Sequence, residues 1–160
     1  MVLFIDYDKN KVLQALRYHF ISRLEIKVLL ILVNVFAIVA AALFAFKVVQ
    51  PLPFLVSSLL WFVLMITFWY WLPHTIYKKS STFHEPIKVE FKSTEIYLET
   101  EQGRAVWLYK KFQYYVETPN FFHLYISDKS FFLIPKDSLD PPDDSFELRK
   151  LLDDKVGRKK

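Results

Sequence analysis

The spacing of apolar residues takes three forms in succession along this chain. Val12, Leu16, Phe20 and Leu24 recur at every fourth position, with Leu13 and Ile21 beside them and Lys9, Lys11, Arg17 and Arg23 mostly on other faces. That spacing predicts an amphipathic helix of roughly 16 to 18 residues. Two uncharged runs follow, VLLILVNVFAIVAAALFAF from Val28 to Phe46 and LPFLVSSLLWFVLMITFWYWL from Leu52 to Leu72. After Ser81 the period falls to two: Ile87, Val89 and Phe91 alternate with Lys88, Glu90 and Lys92, and Ile96 and Leu98 with Glu95, Tyr97 and Glu99. Such alternation predicts half-buried antiparallel strands.

Each uncharged run is close to the roughly 20 residues that cross a hydrocarbon core of about 30 Å. Buried helices of a soluble bundle would need a polar face, and neither run has one. The connector KVVQPLP is short and carries Pro51 and Pro53, so the spans are expected to form an antiparallel hairpin. Lys9, Lys11, Arg17, Arg23 and Lys27 precede the first span and Lys78 and Lys79 follow the second, whereas the connector holds Lys47 alone. This bias places both termini on the cytoplasmic side. No cleavable leader is expected, because the first apolar run begins late and follows Asp6, Asp8 and Glu25.

Within the first span Asn34, Ala37, Ala41 and Ala45 share one face. Small residues let membrane helices approach, and an amide in lipid seeks an acceptor or donor across the contact. Asn34 is therefore expected to hydrogen-bond Thr67, at similar depth in the second span, or a neighbouring copy of the chain.

At the amino terminus VLFID reads as a short strand, with Asp6 or Asp8 capping the helix that follows. The apolar side of that helix suits either the membrane surface or the carboxy-terminal domain. Downstream, TEQG, Pro119–Asn120 and Asp128–Lys129–Ser130 read as turns between strands. FFHLYIS is apolar or aromatic on both of its faces, so both are expected to be covered. Asp140, Asp143, Asp144, Asp153 and Asp154 read as capping or solvated groups, with Asp144 and Glu147 spaced as a capping box. Phe146, Leu148, Leu151, Leu152 and Val156 give the closing helix its apolar side, and GRKK reads as a frayed end or as a contact with anionic lipid.

Composition narrows the chemistry. The chain has no cysteine, which excludes disulfides, thiol nucleophiles and thiolate metal sites, and only two glycines, too few for a phosphate-cradling loop. His19, His74, His84 and His123 form no metal-ligand spacing. No nucleophile elbow or acid–base pair stands out, so no enzyme, cofactor or metal site is expected. A net charge of +4 with acidic residues interspersed argues against nucleic acid. No small-molecule substrate is expected either. The candidate binding surface is basic and aromatic: Lys78, Lys79, Lys110, Lys111 and Lys136, with Trp107 or Tyr109 and Tyr114.

The run AVWLYKKFQYYVETPNFFHLYISDKSFFLIPKDSL, followed by FELRKLL, resembles the YcxB-like family of small bacterial membrane proteins. The resemblance implies two transmembrane helices and a sheet domain like a pleckstrin-homology (PH) fold, and it brings no catalytic residues. The expected fold class is thus an α+β membrane protein: residues 1–26 an amino-terminal strand and amphipathic helix, 27–73 the transmembrane hairpin, and 82–160 a PH-like antiparallel sheet domain closed by a helix. The expected role is non-enzymatic, in the bacterial inner membrane, with the bilayer and a protein or lipid headgroup as partners and self-association through the hairpin. The alternative is a small component of transport, or of immunity to a membrane-active toxin, acting through the hairpin itself.

Overall fold

The computed structural model describes residues 1–139 and 143–159, and the chain divides into two compact units: Met1–Lys11 with Ser80–Lys160, and Val12–Lys79. Asp140 and the side chain of Asp143, expected to be capping or solvated groups, lie outside the described residues.

In the first unit the division differs from the segments 1–26 and 82–160 expected from sequence. Strand β1 (Val2–Ile5) does not stand apart; it pairs antiparallel with β2 (Ile87–Phe91), Leu3 opposite Val89. A four-residue strand cannot hold itself without a ladder partner, and its alternate buried residues Leu3 and Ile5 continue the buried row of β2. The hairpin spans are therefore inserted between the first two strands of one sheet. β3 (Glu95–Thr100) and β4 (Gly103–Leu108) complete that sheet in the order β1-β2-β3-β4. β5 (Tyr114–Glu117), β6 (Phe121–Ser127) and β7 (Ser130–Pro135) form a second sheet in that order.

The single small sheet expected from sequence is thus two sheets. The chain leaves the first one at the 3₁₀ turn Tyr109–Lys111. Trp107 of β4 meets Phe132 of β7 edge to face at 5.5 Å, which ties the two sheets together. Phe121, His123 and Tyr125 are buried, and so are Phe122 and Leu124 on the opposite face, so β6 is covered on both sides. Burying a large apolar side chain is worth about 1.5–3 kcal/mol, which makes this strand the energetic centre of the unit.

α5 (Asp143–Lys155) closes the unit, with Leu148 and Leu152 fully buried. Because the helix begins at Asp143, Asp144 lies inside the first turn rather than at the cap. The expected fray at 157–159 is also corrected. Tyr115 donates its N–H to the Gly157 carbonyl at 3.0 Å, and Lys159 donates to the Tyr115 carbonyl at 3.0 Å. Gly157 makes this return possible by adopting φ +86°, open to a residue without Cβ.

In the second unit α1 (Lys9–Ser22) begins in the first: Asp8 caps it, its Oδ1 accepting from Lys11 N–H at 2.9 Å. Val12, Leu13, Leu16 and Phe20 are buried. α2 (Leu24–Ala45) ends in a Schellman turn, with Lys47 N–H on the Phe44 carbonyl and Val48 N–H on the Leu43 carbonyl, both 2.9 Å. Lys47 takes the left-handed position at φ 58° where glycine is usual.

The second apolar helix runs beyond the expected end at Leu72, as α3 (Pro51–Ile66), a π turn (Thr67–Trp71) and α4 (Leu72–Lys79). Pro73 explains the π turn. It has no N–H for the Trp69 carbonyl four residues back, and its ring would crowd that carbonyl. The helix widens instead, with Leu72 N–H reaching the Thr67 carbonyl five residues back. Both helices are long and apolar enough to cross a membrane, and none of their most apolar stretch is buried.

Candidate functional site

The five candidate lysines have different surroundings. Lys78 and Lys79 are exposed at the last turn of α4, where cations suit the carbonyl end of a helix. Lys110 and Lys111 are exposed on the turn between β4 and β5, and Lys111 Nζ lies 4.4 Å from the Trp107 ring centroid. Of the aromatics expected beside them, Tyr109 is buried, with its hydroxyl donating to the Lys92 carbonyl at 2.9 Å. Desolvation pushes that phenol up to about 12.

Lys136 is committed elsewhere. Its Nζ lies 2.7 Å from Glu117 Oε1 and 5.1 Å from the Phe122 ring centroid. Arg149 from α5 clasps the same carboxylate, Nη2 at 2.7 Å from Oε1 and Nε at 3.0 Å from Oε2, and Arg158 Nη2 stands 3.8 Å from Oε2. The hydrogen bonds from Arg149, then from Lys136, hold Glu117 at about 2 despite its partial burial. This hub fastens β5 to α5 and to the carboxy-terminal tail. Two residues back along β5, Tyr115 donates its hydroxyl to Asp153, and burial followed by that bond pushes the phenol up to about 12. Glu117, Arg149 and Arg158 escaped the sequence reading because residues 32 and more positions apart carry no local pattern that joins them. Only the strand–helix order hinted that β5 and α5 would meet.

The hairpin residues separate in the same way. Ala37 and Ala41 line a cleft of about 510 Å³ between α2 and α3, facing Phe54, Ser58 and Trp61. Asn34 and Ala45 are exposed instead. The hydrogen bond expected between Asn34 and Thr67 is not formed. Asn34 Nδ2 donates to the Leu30 carbonyl at 2.7 Å, and Thr67 Oγ1 to the Val63 carbonyl at 2.8 Å. Each group reaches a carbonyl one turn back on its own helix, and that local bond competes with one across the hairpin.

Around the π turn three carbonyls accept from side chains: Trp69 from Arg17 Nε at 2.9 Å, Trp71 from Thr75 Oγ1 at 2.8 Å, and Tyr70 with His74 Nδ1 at 2.8 Å. Arg17 was read as one of several flanking cations. The proline four positions after Trp69 was the signal that a freed carbonyl would need it.

Strand β4 is one margin of its sheet, with Val106 50% and Leu108 56% exposed. Among the described residues no group of three or more His, Asp or Glu side chains is arranged to hold a metal ion.

No curated protein and no solved structure matches the chain. The family model described as YcxB-like protein matches residues 88–152, from β2 into α5. The match covers the Tyr-rich strand, FFHLYIS and FELRKLL, so the sheet-and-helix part of this chain is similar to the YcxB-like family.

Proposed function

We propose that the chain is a non-enzymatic protein of the bacterial cytoplasmic membrane. Its α2 and α3–α4 helices cross the bilayer twice, with both termini cytoplasmic, and present a PH-like unit for protein binding. The carrying observation is the apolar surface of the two helices: Leu29, Ile31, Phe36 and Ile38 on α2, and Leu55, Leu59 and Phe62 on α3, are all exposed. In water so much contiguous apolar area would aggregate, whereas in hydrocarbon it is the stable arrangement. Four and three antiparallel strands with a closing helix support the PH-like reading of the other unit.

Protein is favoured over lipid headgroups as the partner. Lys136 is spent on Glu117, so the sheet unit's part of the basic set narrows to Lys110 and Lys111, while β4 offers an unpaired apolar margin. Carbonate extraction of membranes containing the full chain tests the anchoring. The chain should stay in the pellet; its release into the supernatant would show that the helices do not span.

A further inference from the structure

Arg17 is held in place without a counter-ion. Its Nε donates to the Trp69 carbonyl at 2.9 Å, and its guanidinium carbon lies 5.5 Å from the Trp69 ring centroid. These two contacts fix the plane of the guanidinium, while Nη1 and Nη2 have no partner among the described residues. A guanidinium keeps its charge in proteins, so a fixed one calls for an anion. The hairpin unit has almost none to give. Between Val12 and Lys79 the one acidic residue is Glu25, and its Oε2 lies 3.8 Å from Arg23 Nε. Arg17, Arg23, Lys27, Lys78 and Lys79 all flank the spans at the end away from the connector. Trp69, Tyr70 and Trp71 are exposed at that same end. Such rings belong where hydrocarbon gives way to headgroups.

We propose that Arg17 holds the phosphate of an anionic phospholipid in the cytoplasmic leaflet, its two Nη groups donating to the phosphate oxygens. The inference rests on the proposed membrane role and leaves the partner of the sheet unit unchanged. Charge complementarity selects an anion, because no carboxylate of the hairpin unit is left to pair with Arg17. The planar fork of a guanidinium matches two phosphate oxygens at once. A side chain already pinned through Nε and its π face loses little further freedom when it binds. Position selects lipid over a soluble phosphate. Trp69 lies inside the uncharged run that ends at Leu72, so an anion meeting the guanidinium beside it must sit at the membrane interface. A phospholipid also brings acyl chains for the exposed rings of Trp69 and Trp71 to cover.

The full chain in detergent is mixed with dioleoylphosphatidylglycerol or dioleoylphosphatidylcholine, and bound lipid is counted by native mass spectrometry. Phosphatidylglycerol should be retained about tenfold more than phosphatidylcholine, the worth of one charge-assisted contact. Arg17→Gln should lose that preference. Lys27→Gln removes an equal charge from the same end of the hairpin and should keep it. A preference that survives Arg17→Gln, or falls equally in both variants, would overturn the site in favour of diffuse attraction to the leaflet. Where Arg17→Gln does not fold, the same comparison is made in a Pro73→Ala background, which returns a backbone donor to Trp69. Phosphatidylglycerol should also raise the melting temperature of the unsubstituted chain, and inorganic phosphate should not. An equal rise with inorganic phosphate would make this a free-anion site and overturn the lipid assignment. Carbonate extraction reports on anchoring alone. A retained chain with no preference for phosphatidylglycerol sinks only the phosphate site, and a released chain sinks the membrane reading.

Discussion

Arg17 Nε donates to the Trp69 carbonyl at 2.9 Å, and the guanidinium carbon lies 5.5 Å from the centroid of the same residue's indole ring. Pro73, four residues on, has no N–H to give that carbonyl. One arginine thus mends a defect made by one proline, and does so where the second apolar helix leaves its uncharged stretch.

Arg17→Ala is expected to destabilise the hairpin unit by about 1–2 kcal/mol, the worth of a charge-assisted hydrogen bond plus an exposed cation–π contact. In a Pro73→Ala background the backbone regains a donor for Trp69, so the cost of Arg17→Ala should fall by at least half. Thermal unfolding in detergent of the four chains of this cycle checks it. Equal costs in both backgrounds would break the link between the two residues.

Acid should loosen the sheet unit through Glu117. Its folded value is about 2 against an ordinary 4.5, held down chiefly by the Arg149 hydrogen bond. A depressed carboxyl stabilises the fold above about 4.5, and that contribution is lost as pH falls toward 2. Glu117→Gln should lower stability at neutral pH by on the order of 1–2 kcal/mol, since it leaves Lys136, Arg149 and Arg158 without their anion. It should also flatten the pH dependence between those two values. Denaturant titrations at several pH values give the comparison.

Lys47 holds a left-handed backbone at φ 58°. Lys47→Gly should relieve that strain and stabilise the hairpin by about 0.5–1 kcal/mol. A higher melting temperature in detergent is the expected reading.

Removing residues 157–160 strips the backbone partners from Tyr115. Amide exchange at Tyr115 should speed by at least tenfold while the β6 amides stay protected.

Much of this architecture was legible in the sequence, because it rests on periodicity. Uninterrupted apolar runs, strict alternation from Ile87 to Phe91, and turn residues at Gly103 and Pro119 are local signals. What escaped them was long-range pairing. Val2–Ile5 read correctly as a strand, but its partner lies beyond the whole hairpin, and nothing local names Ile87–Phe91 as that partner. The crossing between sheets at Tyr109–Lys111 was hidden inside AVWLYKKFQYYVE, a run with no glycine or proline to mark a break. The Glu117 hub joins three elements, and Lys136 looked free because its partner sits on another strand. The bond from Asn34 to Thr67 is absent for a different reason: Asn34 bonds back to the Leu30 carbonyl on its own helix.

The central claim is that a membrane hairpin is inserted into a cytoplasmic sheet unit, and single-cysteine labelling tests it most directly. Val48→Cys, in the connector, and Lys129→Cys, on the β6–β7 turn, are each exposed to a membrane-impermeant maleimide on intact spheroplasts. The account predicts labelling of Val48→Cys from outside and of Lys129→Cys only after permeabilisation. Labelling of Lys129→Cys on intact cells, or protection of both positions until the membrane is opened, would contradict it.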